Sequence, residues 1–313
     1  MSALLWLGLL IAVEVPAKTE SFSADSLPNA LSSPAQVSSS VSVQPASFSQ
    51  ATLSPATLSP AAPSPSAVEW SALLDATGVS EVLEQANGLI GQEVSNLEKT
   101  PLGFTPDELA ALQMNFQFRL GSDRLKQDVM DRLQQQLPAE QALQLQNILQ
   151  SPRVRFLQTL QQQLNDDAVR QAMRTYRVQV QESTPNADRM ELLTTLDETL
   201  GQSALEADLK VELRKQLLVT VSQLKSQESI PETMLDDQLR HYRQDVEQQI
   251  SKNALHAYLY LFKRTPSTQV QDLIQSFDQP AFDNFMSICQ AALLDSFRSA
   301  RAQLQQDMRL ANH

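Results

Sequence analysis

The strongest constraint on the fold is a pattern of prolines and apolar residues that occurs twice in the chain. The stretch LPAEQALQLQNILQSP, ending at Pro152, returns in similar form as TPSTQVQDLIQSFDQP, ending at Pro280. A shift of 128 positions carries Pro152 onto Pro280, and the same shift carries Pro138 onto Pro266. It also aligns apolar residues in six pairs: Ala142 with Val270, Leu145 with Leu273, Leu149 with Phe277, Val154 with Phe282, Leu157 with Phe285, and Leu160 with Ile288. A short amphipathic helix buries its apolar face only against neighbouring helices, so we interpret the recurrence as one helical packing unit used twice.

The chain after residue 68 has a helical pattern throughout. Apolar residues recur at steps of three and four, and prolines stand at helix starts. The stretch TPDE at 105–108 combines a capping threonine, a proline in the first turn and a glutamate that closes a capping box. No run of alternating β-branched residues is long enough for a sheet. The sequence therefore predicts an all-α bundle built from two related multi-helix units, residues 69–182 and 183–313.

The register between the two units changes towards their N-terminal ends. There, Leu73-Leu74 pairs best with Leu192-Leu193, at a shift of 119 positions. We therefore expect an insertion between this point and the proline-marked stretches.

The N-terminal residues have the composition of an exported protein. The apolar run from Ala3 to Val13 is too short to span a bilayer and suits the core of a secretory signal, with Val15 and Ala17 before a cleavage site. The next residues are rich in Ser, Pro, Ala and Thr, a composition that buries too little apolar surface to offset its ordering entropy. We predict a signal peptide over residues 1–17 and a disordered linker over 18–68, with a glycosylated stalk or polyproline ligand as the alternative for the linker. The expected location is periplasmic or secreted, without a stable membrane span after signal cleavage.

Charge and cysteine content exclude several classes of function. The formal net charge of -12 argues against nucleic acid as a partner, because phosphates require a surface rich in Lys and Arg. Cys289 is the single cysteine, so no disulfide forms within the chain. Its apolar neighbours indicate a small buried side chain rather than a nucleophile, which needs a nearby base.

The sharpest candidate for chemistry is a set of three residues on one helix. Asp237, His241 and Asp245 stand at steps of four, so their side chains share one face and form a weak candidate for a divalent metal site. A solvated face with mild charge pairing is the alternative. The sequence has no phosphate-binding glycine loop, G-x-S-x-G, H-E-x-x-H or paired C-x-x-C motif, so it predicts no catalytic residues and no cofactor.

The helix that begins at Pro280 carries a long apolar stripe. Its members include Phe282, Phe285, Leu293 and Phe297. If part of this stripe stays exposed, it forms an interaction surface for another chain.

Three stretches carry a resemblance to a known family: LLDATGVSEVLEQ at 73–85, the block LPAEQALQLQNILQSPRVRFLQ, and LYLFKRTPSTQVQDLIQSFDQPAFDNF at 259–285. They resemble a bacterial exported all-helical family, domain of unknown function 2059, in two divergent copies. The chain departs from the family's commoner turn after the proline, with RVR at 153–155 and AFD at 281–283. The resemblance implies a periplasmic helical domain and brings no activity with it.

These observations favour a non-catalytic binding or protein-interaction module of the bacterial envelope. Its partner would be an envelope protein, a peptide, or an apolar ligand held between the units, and the oligomeric state stays open. A periplasmic foldase or chaperone for secreted proteins is the first alternative, by analogy alone. A hydrolase with scattered catalytic residues is the second, and a cleft holding His241 or His256 beside carboxylates would favour it.

Overall fold

The computed structural model describes residues 68–99, 103–163, 167–182, 185–226 and 232–311, and over these residues the chain forms twelve helices and no strand. The helices are α1 (Trp70–Ala76), α2 (Val79–Glu98), α3 (Pro106–Leu120), α4 (Ser122–Gln136), α5 (Ala139–Gln150), α6 (Pro152–Gln163), α7 (Asp167–Glu182), α8 (Ala187–Leu200), α9 (Gln202–Ser226), α10 (Glu232–Leu261), α11 (Ser267–Phe277) and α12 (Pro280–Ala311). The predicted all-α class is confirmed.

The predicted N-terminal segments lie outside the described part of the chain. This concerns the signal peptide over 1–17 and the linker over 18–68, of which only Val68 is described. Of the helices that the structure does describe, none combines the length and the apolarity needed to cross a bilayer.

Local sequence explains the helix starts. Thr105 caps α3 as expected: its hydroxyl accepts from the Glu108 N–H at 3.2 Å, and the Glu108 carboxylate accepts from the Thr105 N–H at 2.7 Å. The helix is interrupted at Gly121, between α3 and α4. There the Asn87 side chain accepts a hydrogen bond from the Ser122 N–H at 3.2 Å and donates one to the Ser122 hydroxyl at 2.8 Å. These bonds satisfy groups that a helix end leaves without partners.

Helix α9 lies at the centre of the molecule. It contacts α2, α8, α10 and α12, and nearly all its side chains from Leu205 to Gln223 are buried or half-buried. A helix covered on all sides has no single apolar face, and α9 accordingly buries charged and polar side chains as well as leucines. The buried polar residues of α9 are Asp208, Glu212, Arg214, Lys215, Gln216, Thr220 and Gln223.

The two proline-marked hairpins, α5–α6 and α11–α12, contact each other crosswise. Helix α5 packs against α12, and α6 packs against α11. In the first contact Asn284 Nδ2 donates to Gln141 Oε1 at 2.6 Å. In the second, Arg153 pairs with Asp272 at 3.2 Å. The contacts are therefore reciprocal between the segments that the sequence aligns.

The aligned apolar residues of these hairpins belong to one core. Both members are buried in five of the six aligned pairs, and in the sixth Leu160 is half-buried while Ile288 is buried. Leu145 and Leu273, the central pair, are 0% and 2% exposed. Equivalent positions in the sequence thus have equivalent burial.

A second pair of similar turns joins α1 to α2 and α8 to α9. Each turn has a glycine in the left-handed region, Gly78 with φ of 74° and Gly201 with φ of 67°. A shift of 123 positions relates these glycines, rather than the 119 that the apolar pattern favoured. The difference of four residues is about one helical turn, so both registers place apolar residues on the same face. In each turn a serine after the glycine donates to an aspartate before it, in the pairs Ser80–Asp75 and Ser203–Asp197.

Two long helices in the second half of the chain each correspond to a pair of separate helices in the first half. A shift of 128 positions carries α3 and α4 together onto the segment covered largely by α10, a single helix of 30 residues. The same shift carries α6 and α7 onto α12, a single helix of 32 residues. The break at Gly121 therefore has no counterpart in α10, where Gln249 takes its place.

Candidate functional site

A large cleft lies where the two glycine turns approach each other. It has a volume of about 670 Å³ and is bordered by the α1–α2 turn, the start of α9, and parts of α6 and α10. This is the size of a site for a small organic molecule. We call it the Gly78 cleft; its lining comprises Ala72, Asp75, Ala76, Gly78, Glu81, Val82, Gln85, Gln158, Gln161, Gln202, Ser203, Glu206, Ala254, Ala257 and Tyr258.

Two glutamine amides hold the wall of the Gly78 cleft in place. Gln202 Nε2 donates to the Thr77 carbonyl at 2.6 Å, and Gln158 Nε2 donates to the Ala76 carbonyl at 2.9 Å. Both carbonyls belong to the C-terminal end of α1, where helix carbonyls lack partners within the helix. Gly78 directly follows Ala76 and Thr77, and its φ of 74° disfavours any residue other than glycine. A Cβ there would also force the Gln202 amide to move.

The electrostatics of the Gly78 cleft are negative. Three carboxylates line it, Asp75, Glu81 and Glu206, whereas no Lys or Arg does. Glu206 is paired with Lys210 at 2.6 Å. Glu81 keeps contact with solvent, yet partial burial raises its pKa, and the carboxylates of Asp75 and Glu84 raise it further. A backbone hydrogen bond and the charge of Lys126 lower the pKa of Glu81, and a further cation in the cleft would act in the same direction.

At the α8–α9 turn a methionine packs beside the glycine. The shift of 128 positions carries Gln158 onto Met286. A Cβ placed on Gly201 would lie 3.3 Å from the Met286 Cε atom, so this side chain fills the space beside the second turn. At the first turn the equivalent residue is Gln158, which donates to the Ala76 carbonyl and lines the cleft.

A buried carboxylate supports the α9 end of the cleft. Asp197 is 7% exposed and accepts a hydrogen bond from the Ser203 hydroxyl at 2.7 Å. Burial raises the pKa of Asp197, against the effect of the Ser203 bond, and Glu198 and Glu206 raise it further. Tyr258, on the cleft wall, is also buried; burial raises its pKa, and the charge of Asp197 adds to this.

The Asp197 shift predicts a pH dependence of stability. Because the folded pKa lies above the ordinary value of 3.8, the folded state binds more protons than the unfolded state between those two pKa values. The unfolding free energy should therefore fall as pH rises from 3.8 through the folded pKa. Asp197→Asn should remove this contribution. The unfolding free energy of the variant, measured by denaturant titration and compared with that of the original chain, should therefore increase with pH. Asp131→Asn, an exposed position, serves as control; equal pH profiles for both variants would contradict the prediction.

The predicted metal candidates lie away from the Gly78 cleft. Asp237, His241 and Asp245 are exposed on α10, and Asp237 pairs with Arg240. Within the described ranges, no group of three or more His, Cys, Asp or Glu side chains has a geometry suited to a metal ion. The arrangement matches the alternative of a solvated face with charge pairing.

The predicted interaction surface on α12 is corrected by the structure. Phe282, Phe285, Leu293 and Phe297 are between 0% and 1% exposed and belong to the core. They are covered because α12 packs against α4, α5 and α9. The stripe is therefore a packing surface of the bundle and is not available to another chain.

Neither described histidine lines the cleft, and the cysteine is inaccessible. His241 is exposed, whereas His256 is half-buried, with its pKa lowered by burial and by Arg177 and Lys252. Cys289 is fully buried, and burial raises the pKa of its thiol. Neither histidine therefore provides the imidazole beside carboxylates in an open cleft that the hydrolase alternative requires.

Sequence reasoning missed the residues of the Gly78 cleft. One signal was available: Gly78 is one of only seven glycines and stands between two helical segments. Comparison with known proteins gives no further guidance, since no family model, no curated protein and no solved structure matches the chain.

Proposed function

We propose that the protein is a non-catalytic binding protein and that the Gly78 cleft takes a small organic cation carrying amine or guanidinium groups. The observation that carries the proposal is a cleft of about 670 Å³ lined by three carboxylates and by no Lys or Arg. A concave wall of one charge sign concentrates ligands of the opposite sign.

The neutral lining suits the same ligand. Gln85, Gln158 and Gln161 offer amide oxygens that accept hydrogen bonds from N–H groups, and the alanines of α1 and α10 leave room for a hydrocarbon chain. Amines joined by short methylene chains combine these two requirements. The cleft chemistry thus favours a polyamine-like molecule over an apolar ligand, which the sequence left open beside an envelope protein and a peptide.

The proposal includes an architecture of two divergent copies of one helical unit, over 69–182 and 183–313. Its support is the crosswise packing of α5 with α12 and α6 with α11, together with the two glycine turns. In this interpretation the cleft lies beside Gln158 of the first copy, and the equivalent residue of the second copy is Met286. Export to the bacterial envelope and kinship with domain of unknown function 2059 stay predictions from the sequence.

Calorimetric titration with spermidine tests the proposal. We expect saturable binding to the full chain, with affinity falling at low pH as the carboxylates become protonated. Glu81→Gln should weaken binding about tenfold, equivalent to about 1.4 kcal/mol, because it removes one counter-charge without changing side-chain shape. Ala257→Leu, which adds bulk to the cleft wall, should also weaken it.

The matched control is Glu98→Gln on the same helix. Glu98 is exposed at the end of α2 and does not line the cleft, so this change removes the same charge away from the site. If Glu98→Gln and Glu81→Gln weaken spermidine binding equally, the attraction is to the acidic surface in general. Absence of saturable binding at any pH would refute the cationic ligand.

A further inference from the structure

A small pocket of about 210 Å³ lies at the contact between α6 and α11 and shares no lining residue with the Gly78 cleft. We propose that this pocket binds a free aromatic α-amino acid as its zwitterion. We call it the Phe156 pocket; its lining comprises Pro152, Arg153, Phe156, Phe262, Thr265, Gln269, Asp272 and Leu273.

Two aromatic rings and a leucine give the Phe156 pocket an apolar wall. Phe262 and Leu273 are 1% and 2% exposed, whereas Phe156 is 42% exposed. An aromatic ligand would cover the exposed part of Phe156, and ring pairs gain stability beyond the apolar area that they bury. The volume lies below the range of about 300–1,000 Å³ that drug-sized ligands occupy, so the ligand must be small.

Arg153 and Asp272 give the pocket one positive and one negative charge, so its lining has no net formal charge. Their atoms Nη2 and Oδ2 are 3.2 Å apart, and the two side chains are 57% and 46% exposed. Because an exposed ion pair contributes little to stability, opening this pair costs little. An α-amino acid carries a carboxylate and an ammonium on one carbon, so it can bind Arg153 and Asp272 together. The ligand then replaces one ion pair by two, without needing surplus charge in the pocket.

The wall formed by the α10–α11 turn is held in place from outside the pocket. Arg189 on α8 donates from Nη2 to the carbonyls of Phe262 and Thr265, both at 2.9 Å. Arg189 itself does not line the pocket. A wall that is fixed before the ligand arrives lowers the entropic cost of binding.

The reciprocal contact between α5 and α12 lacks these charged and aromatic groups. The shift of 128 positions relates all three to uncharged, non-aromatic residues: Ala281 for Arg153, Asn284 for Phe156 and Gln144 for Asp272. The two hairpins therefore make one of their two contacts without an ion pair or an exposed ring at these positions. Helix packing alone does not explain why the α6–α11 contact has them.

Calorimetric titration of the full chain with L-phenylalanine tests the proposal. We expect one saturable site, with binding at least fivefold weaker for N-acetyl-L-phenylalanine and for L-phenylalaninamide, each of which lacks one of the two charges. Alanyl-phenylalanine, whose two charges lie farther apart, should also bind at least fivefold more weakly. Equal binding of the charge-deficient compounds, tighter binding of the dipeptide, or no saturable binding of L-phenylalanine would overturn the proposal.

Variants that remove one charge test the role of each group in the pocket. Asp272→Asn removes the carboxylate that faces Arg153, so this variant should bind N-acetyl-L-phenylalanine more tightly than L-phenylalanine. Arg153→Gln should instead prefer L-phenylalaninamide. Both side chains are about half exposed, so the variants should fold normally. If both variants keep the ligand preference of the original chain, the ion pair has only a structural role and the proposal fails.

Two controls separate this site from other charges of the chain. Arg298→Gln removes an arginine that is 60% exposed, pairs with Asp295 and does not line the pocket, so the order of the ligands should stay the same. Glu81→Gln should weaken spermidine binding and leave L-phenylalanine binding unchanged, because the two sites share no residue. A changed ligand preference in either control would contradict the assignment to the Phe156 pocket.

Discussion

Replacing Phe285 by alanine is expected to destabilise the folded chain by about 3–5 kcal/mol, the usual cost of truncating a fully buried phenylalanine. Phe285 is 0% exposed, and its ring lies 6.4 Å from that of Phe282, which in turn contacts Phe277 at 4.8 Å. The three rings lie on α11 and α12, the two helices of the second hairpin. Alanine would leave a cavity there that neighbouring helices can fill only in part. Chemical denaturation monitored by circular dichroism measures the change.

The matched control for this prediction is Phe118→Ala. Phe118 lies on α3 and is 81% exposed, so the same change removes the same atoms without creating a cavity. Its effect should stay within about 0.5 kcal/mol. Phe285→Leu should recover much of the lost stability because it keeps most of the buried volume. A similar loss for Phe285→Ala and Phe118→Ala would contradict the placement of Phe285 in the core.

The helices of the two proline-marked hairpins and the start of α3 were predictable because their signals are local. Each proline-started hairpin shows apolar residues at helical steps, and the TPDE start of α3 contains its own capping partners. Helix α9 gives no such signal. Its charges are buried beside its leucines, because four helices surround it, and a pattern of one apolar and one polar face cannot describe it.

The α12 stripe shows the limit of the same reasoning. A periodic apolar pattern identifies a face that avoids water, but it does not say whether that face meets another helix of the same chain or a partner. Phe282 and Phe297 are buried on α12, and this helix packs against α4, α5 and α9, which are far from it in sequence. The sequence thus predicted the face and not its neighbour.

The Gly78 cleft was beyond sequence reasoning for a related reason. Its lining comes from four parts of the chain, and its shape depends on Gln158 and Gln202 reaching carbonyls more than 80 residues away. Glutamine is common on soluble helical surfaces, so nothing in the sequence distinguishes these two from others. The metal candidates on α10, by contrast, have a regular spacing that is easily recognised in the sequence. The structure nevertheless places their side chains in solvent.

Arg301→Met is expected to cost about 3–5 kcal/mol, because it leaves the Glu212 carboxylate buried without its cation. The two side chains are 10% and 8% exposed, and their atoms Nη1 and Oε2 are 2.7 Å apart. Glu212 lies on α9 and Arg301 on α12, so the pair links the central helix to the longest one. The measurement is the free energy of unfolding by urea at neutral pH.

The double variant Glu212→Met, Arg301→Met distinguishes two contributions to the free energy of unfolding: the cost of leaving one charge unpaired and the net stabilisation by the ion pair. Removing both charges and filling the space with apolar atoms should restore stability to within about 1–2 kcal/mol of the original chain, since a buried ion pair offsets little more than its own desolvation. Arg298→Met, which breaks the exposed pair with Asp295 one turn earlier on α12, should cost less than about 1 kcal/mol. If Arg301→Met costs no more than Arg298→Met, the Glu212 carboxylate is reached by water or by another cation. If the double variant is as unstable as the single one, the loss comes from packing between α9 and α12 rather than from charge.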